Sequence, residues 1–156
     1  MENKPFLYQD HVQSDWVDYN GHMNDAAYAK VFSLAVDSLI CFIGLDAEAR
    51  NHYAYTIYTL ETHLSYLQEA NKDEALDVTV QLIDVDQKRL HVFFTMKNTS
   101  GDVIATSEQM LMGMDTKQER PAAFPASVAE TIETIWNEDK QLESPKQVGR
   151  RIGIKR

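Results

Sequence analysis

Apolar residues along this chain recur with two different periods, and the change falls near Tyr55. Before it, Val31, Phe32, Ala35, Val36, Leu39, Phe42 and Ile43 return at helical spacing through a stretch, Ala26 to Ile43, that holds neither Gly nor Pro. Asn24 and Asp25 stand where an N-cap belongs, and Gly44 stands where a helix should stop. Only Lys30 and Asp37 interrupt the run with charge, which predicts a long helix enclosed by the rest of the fold. Ahead of it, Phe6 to Gln13 reads as a short strand and Asp18-Tyr19-Asn20-Gly21 as a tight turn. After Tyr55 the period is two. Leu60, Thr62, Leu64 and Tyr66 alternate with Glu61, His63 and Ser65; Leu76 to Asp84, Leu90 to Lys97 and Val103 to Met114 follow the same rule. Asn98 to Asp102 reads as the hairpin turn between the last two strands. Pro121 and Pro125 punctuate a loop, Pro125 or Ser127 opens a second helix through Trp136, and Glu138 to Arg156 is polar and expected to be loosely ordered except where it docks.

Strand, helix, four strands, helix is an α+β order: an antiparallel sheet of about five hairpin-joined strands, wrapped around one long apolar helix. The 156 residues suit a single domain, 1–156, with a polar C-terminal extension over 138–156. Apolar residues at 44% and charged residues at 25% are ordinary globular usage, which excludes disorder for most of the chain. The one cysteine, Cys41, forbids an internal disulfide; within Leu39-Ile40-Cys41-Phe42-Ile43 it is expected to be buried and inert. A net charge of −9 argues against broad binding to nucleic acid or membrane surfaces. No run approaches the ~18 apolar residues of a membrane span, and Met1 to Asp10 lacks a basic-then-apolar leader pattern, so a cytoplasmic location is the expectation. Lys146, Arg150, Arg151, Lys155 and Arg156 crowd the C-terminal end, either as a solvated tail or as a local patch for a nucleotide phosphate.

Polar chemistry concentrates in Asp15-Trp16-Val17-Asp18-Tyr19-Asn20-Gly21-His22-Met23-Asn24-Asp25, directly before the apolar helix. A helix N-terminus has unpaired N–H groups and partial positive charge, so it stabilises negative charge developing on a docked carbonyl oxygen. A carboxylate held by a tight turn just upstream can face the same carbonyl, the geometry of ester or thioester cleavage. Asp18 is that carboxylate, and the N–H of Asn24 or Asp25 is the expected oxyanion donor. Each residue also has a plainer role: Asp18 and Asn20 as turn formers, Asn24 and Asp25 as caps, His22 as a loop contact. No Gly-Xaa-Ser-Xaa-Gly elbow and no phosphate-binding glycine loop occurs. His11, His22, His52, His63 and His91 show no paired metal spacing, so no metal is expected.

Asp18-Tyr19-Asn20-Gly21-His22-Met23-Asn24 followed by Tyr28 resembles the signature of the 4-hydroxybenzoyl-CoA thioesterase-like hotdog family, over Phe6 to about Asp115. Thr59 to Leu67, Lys88 to Val92, Ser107 to Leu111 and Val148 to Ile152 extend the likeness across nearly the whole chain, to the betainyl-CoA thioesterases that accompany carnitine dehydrogenases in carnitine breakdown. Two positions depart: Trp16 stands where the family often has an acidic residue, and Asp25 where it often has a second Asn. The resemblance implies the hotdog fold and hydrolysis of a short-chain acyl-CoA, betainyl-CoA first, to free acid and CoA, without bound cofactor. In that reading Asp18 attacks the thioester or activates water, with His22, Asn24, Asp25 and Glu61 completing the catalytic set. A quaternary ammonium is met by aromatic faces, for which Trp16, Tyr19, Tyr28 and Tyr66 are available. Lys88, Arg89, Arg150 and Arg151 are the candidates for CoA phosphates. The expected assembly is a homodimer or dimer of dimers, closing an exposed strand edge. The alternatives are a general short- or medium-chain or aryl acyl-CoA thioesterase, a non-catalytic acyl-CoA-binding hotdog domain, and a hotdog dehydratase. The second should lack Asp18; the third usually pairs a His with a carboxylate on the enclosed helix, where only Asp37 lies.

Overall fold

The computed structural model describes residues 4–156. Its elements are β1 (Tyr8–His11), a single 3-10 turn at Ser14–Trp16, α1 (Asp25–Phe42), α2 (Ala47–Tyr53), β2 (Tyr55–Tyr66), β3 (Ala75–Val85), β4 (Arg89–Lys97), β5 (Val103–Asp115), β6 (Arg120–Pro121) and α3 (Ala126–Asp139). The sheet is antiparallel throughout, in the order β1-β3-β4-β5-β2, with β6 added to part of β5. The hairpins are β3–β4, β4–β5 and the short β5–β6. The expected hairpin between β2 and β3 is absent, because β2 lies at the far edge beside β5. The residues between them instead pass the start of α1: Ala70 C=O accepts the Met23 N–H at 2.8 Å, and Asn71 bridges His22.

α1 starts where its cap predicts. The Asn24 side chain accepts the Ala27 N–H, and Gly44 ends the helix at φ +104. Tyr28, Val31, Phe32, Ala35, Leu39 and Ile40 form its buried stripe, in one core cluster with Val92, Phe94, Met96 and Leu111 of the sheet. The stripe is narrower than the apolar run. Ala26, Ala29, Ser33 and Cys41 are exposed, so the helix is half enclosed and the cysteine is not buried as expected. Alanine counts as apolar in a pattern yet loses little by facing water, which is why the run overstated enclosure.

β2 also corrects its pattern. A bulge between Thr59 and Glu61 inserts Leu60 and switches the side-chain faces. Ile57 is buried towards α1 before the bulge, and Thr62 and Leu64 line the α1 side after it; Leu60 is 54% exposed.

The C-terminal extension docks. β1 covers only Ala75 to Val78 of β3, and beyond that point the Asp139 carboxylate accepts the Leu82 N–H at 2.9 Å. Gln81, Phe93 and Glu108 form a row across β3, β4 and β5 on the outer face. The chain crosses this row, with Gln81 Nε2 donating to Glu143 C=O at 3.2 Å and Gly149 N–H donating to Glu108 Oε1 at 2.8 Å. Phe93, 2% exposed yet outside the main core, is covered between those two anchors.

Candidate active site at the start of the long helix

The segment before α1 folds as a small closed loop. Val17 and Met23 bridge, Asp18 N–H donates to His22 C=O at 2.8 Å, and Gly21 N–H donates to Asp18 C=O at 3.0 Å. Gly21 sits at φ +78, a conformation that side-chain-bearing residues rarely adopt. Asp18 Oδ1 accepts the N–H groups of Asn20 at 2.8 Å and His22 at 3.2 Å. The carboxylate is thus held by one oxygen, at an exposed position, on the rim of the loop.

Asn24 joins this loop to the helix. Its N–H and its side-chain amide both donate to Trp16 C=O, at 2.9 and 2.8 Å, while its Oδ1 accepts from Ala27 at 2.9 Å. The Asn24 N–H is therefore spent and cannot serve as the oxyanion donor. Ala26 N–H is engaged by the Asp25 carboxylate at 3.0 Å. Among the described residues the Asp25 N–H at the start of the helix has no hydrogen-bond partner. A carboxylate rim, an open N–H and the positive helix end stand together within one loop and one turn.

The aromatic candidates scatter. Trp16 is buried with Lys30 Nζ 6.0 Å from its ring centre, and Tyr19 is 97% exposed at the loop tip. Tyr28 is buried and structural: its hydroxyl accepts the Ala70 N–H at 3.1 Å and donates to Gln68 C=O at 3.4 Å. Burial pushes its phenol up, against the opposing pull of the Ala70 N–H. Tyr66 packs edge-on against Tyr28 at 5.3 Å and donates to Asp25 C=O at 3.3 Å, so it alone stays at the site with its surface half open. His22 turns its Nε2 to Glu69 at 3.3 Å rather than to Asp18.

Glu61 lies elsewhere in the chain. It pairs with Met110 on the outer face of the sheet, away from Thr62 and Leu64. The basic candidates divide too. Arg89 is clamped by Asp86, with Nε and Nη2 at 2.7 and 2.6 Å, and the Lys88 N–H and Arg89 hold the Asp86 carboxyl below the usual carboxylate range. Arg89 pairs with Met112, whereas Tyr66 beside the α1 start pairs with Ala105. Seven residues of extended β5 put ~23 Å between the two ends. Arg150 and Arg151 are exposed and follow the Gly149 anchor on Glu108, ~13 Å along β5 from Met112.

A cavity of about 460 Å³ opens between α1 and β2, starting at Ala29, one helical turn beyond Asp25. Phe32, Val36, Ser33, Thr59, Thr62 and Gln109 line it. Gln109 was not among the residues singled out from sequence. Its signal was parity: Ser107 and Gln109 share the inward face of β5 with buried Ala105 and Leu111. A larger apolar cavity of about 700 Å³, between Phe6, Leu39, Leu82 and Ile135 at the other end of α1, touches none of the candidate site residues. Among the described residues no three His, Cys, Asp or Glu side chains are grouped to hold a metal.

A profile of the Thioesterase-like superfamily matches residues 12–132. Betainyl-CoA thioesterase of Pseudomonas aeruginosa is 39% identical over 148 residues, covering 94% of this chain and 93% of that protein. The L-carnitine dehydrogenase/betainyl-CoA thioesterase of Rhizobium meliloti is 40% identical over 149 residues, 93% of this chain but 29% of the longer protein. Among solved structures, a hypothetical protein of Staphylococcus aureus in complex with CoA superimposes with a TM-score of 0.92 at 35% identity, covering 99% of this chain and 98% of that one.

Proposed function

Since the chain belongs to the thioesterase-like superfamily, we propose that it hydrolyses acyl-CoA thioesters, with betainyl-CoA as its principal substrate, releasing betaine and CoA. The observation that carries the reading is that the closed loop presenting the exposed Asp18 carboxylate leads directly into the start of α1, where the Asp25 N–H has no partner. The thioester carbonyl docks with its oxygen towards that N–H, so negative charge forms against the positive helix end. Asp18 supplies the nucleophile directly or draws a proton from attacking water. Gly21 lets the loop close tightly enough to present it. The acyl group enters the cavity between α1 and β2, and the CoA chain leaves across the loop surface towards the basic C-terminal end.

Two features support a homodimer or dimer of dimers. β2 is a twelve-residue open edge, and Tyr58 and Leu60 on it are 53% and 54% exposed. The acyl cavity also opens beside that edge, so a second copy would close it and bring further side chains to the site. A cytoplasmic location belongs to the same proposal, as a compartment where CoA thioesters are made and used.

The test is a panel of acyl-CoAs, betainyl-CoA included, followed by free-thiol release. Betainyl-CoA should give the highest kcat/KM of the panel. A higher value for a plain short-chain or aryl acyl-CoA would reassign the substrate, and no hydrolysis of any member would leave only acyl-CoA binding. Sedimentation at micromolar concentration should give a dimer or tetramer; an active monomer would contradict the assembly.

A further inference from the structure

The first two N–H groups of α1 are treated differently. Ala26 N–H donates to the Asp25 carboxylate, Oδ1, at 3.0 Å, while the Asp25 N–H beside it has no partner among the described residues. Both N–H groups belong to the first turn and point out of the helix along its axis. Successive backbone nitrogens of a helix lie roughly 3 Å apart, so an oxygen docked on the Asp25 N–H comes within about 5 Å of that carboxylate oxygen. The Asp25 side chain is exposed and makes no ion pair among the described residues. Its nearest titratable neighbour is Tyr66, whose hydroxyl donates to Asp25 C=O at 3.3 Å and whose phenol is pushed up by burial and then by the Asp25 charge. This arrangement is unfavourable for an ordinary thioester. Negative charge forming on the carbonyl oxygen would grow beside a fixed negative charge, and the repulsion offsets part of what the helix end contributes. A cation on the acyl group reverses the sign.

We propose that Asp25 is a specificity-determining residue, whose carboxylate favours acyl groups with a fixed positive charge close to the thioester carbonyl and disfavours neutral ones. This rests on the reading of the protein as an acyl-CoA thioesterase with its carbonyl docked at the Asp25 N–H. The reach is set by bond lengths. In betainyl-CoA the nitrogen stands one methylene from the carbonyl carbon, hence no more than about 4 Å from the carbonyl oxygen. The cation therefore comes close to the developing oxyanion and to the Asp25 carboxylate together, and each of them attracts it. The cavity between α1 and β2 begins at Ala29, one helical turn or about 5 Å beyond Asp25, and its lining includes no carboxylate and no basic residue. It suits the methyl groups of a quaternary ammonium and leaves the charge to be met at its mouth. Tyr66, half open beside the same turn, brings an aromatic ring to that mouth.

The decisive comparison uses two thioesters of equal shape. Betainyl-CoA and 3,3-dimethylbutanoyl-CoA differ by nitrogen against carbon at one centre, hence by one positive charge. The kcat/KM ratio of the pair is measured for wild type, Asp25→Asn, Asp25→Ser and Asp25→Glu. Their different intrinsic reactivity cancels when ratios are compared between enzymes, and so do the shared CoA contacts, the pull of Asp18 on a cation and any general loss from looser folding. Asp25→Asn keeps the backbone N–H and an acceptor for Ala26 and removes only the charge. It should cut the preference for the cation about tenfold, a figure that allows for solvent screening of an exposed carboxylate. Part of that change should come from faster hydrolysis of the neutral thioester, which loss of a merely structural cap does not produce. Asp25→Ser should shift the ratio the same way, so one variant that does not fold leaves the other to decide. Asp25→Glu retains the charge and should keep most of the preference. A wild type that hydrolyses betainyl-CoA well, with a ratio unmoved by Asn or Ser, overturns the role of Asp25, returns it to helix capping and leaves the thioesterase reading standing. A wild type that prefers the neutral isostere also overturns the assignment. Failure to hydrolyse either thioester overturns it together with the reading on which it rests.

Discussion

Replacing Asp18 by Asn isolates the charge of the proposed catalytic group from its part in the fold. One oxygen of Asp18 accepts two backbone N–H groups, from Asn20 and His22. An asparagine carbonyl can occupy the same place and keep both bonds, weakened because the acceptor is neutral. At an exposed site the two bonds together should lose no more than ~1 kcal/mol, a fall in Tm of roughly 2–4 °C for a domain of this size. The chemistry should lose far more. Without a carboxylate there is neither a nucleophile nor a base, and the typical contribution of such a group is about 100- to 10,000-fold in rate. Turnover of the best acyl-CoA, followed by free-thiol release, should fall by that factor while the melting curve barely moves. Asp18→Ala adds a control, since it removes the acceptor too: its Tm should drop below that of Asp18→Asn at the same residual rate. Turnover of Asp18→Asn within tenfold of wild type would refute the argument and return Asp18 to turn formation alone.

Ending the chain after Val148 removes Arg150 and Arg151 and the Gly149 N–H from Glu108 Oε1, while Oε2 keeps its 2.6 Å contact with His91 Nε2, and should raise KM for an acyl-CoA roughly tenfold with little change in kcat. The same truncation should leave a pantetheine thioester unaffected, and an unchanged KM for the CoA substrate would make the basic end a solvated tail. Burial holds the Asp139 carboxyl above its usual range, against the opposing bond from Leu82 N–H. A raised carboxyl pKa favours the folded state while protonated and loses that contribution as pH rises. Asp139→Asn keeps an acceptor for Leu82, so its Tm should gain on wild type as pH climbs from about 3.9 upwards; a difference that does not vary with pH would remove burial as the cause. Gly113→Ala would drive a methyl group into the Tyr55 hydroxyl, which donates to Ala122 C=O at 2.7 Å. It should be destabilising by about 1–3 kcal/mol in denaturant titration, and Tyr55→Phe should relieve part of that loss.

Local chemistry explains which elements were legible in the sequence. α1 begins within one residue of its expected start, because an Asn cap and a terminating Gly are local signals that need no partner. The four long strands likewise follow from alternation. α2 went unread because none of its residues is buried, so it carries no apolar stripe; only the Asp46 cap marked it. Strand order was hidden for a different reason: a period of two records which side chains share a face and nothing about which strands are neighbours. Near α1, the loop that holds Asp18 was legible because a turn and a cap bracket it. The aromatic residues were not, since the residue type of Trp16 or Tyr28 cannot say whether its ring faces a ligand or the core. Asn24 was read as cap or oxyanion donor, and its bonds to Trp16 decide for the cap.

The two margins of the sheet are unequal, and this governs what repeated association can build. On one side β1 is four residues long, and α3 with Asp139 occupies the stretch of β3 it leaves bare. On the other, β2 offers twelve residues with no strand beyond them among the described residues. A sheet grows into a fibre only when each added unit presents a fresh margin like the one it consumed. Here, two copies meeting through β2 would use up the receptive margin of both, and each outer side of the pair would be the obstructed one. Growth by strand addition would stop at two. Removing the obstruction, by deleting α3 or by substituting Asp139 with an alanine that cannot accept the Leu82 N–H, would turn a self-terminating contact into one able to propagate.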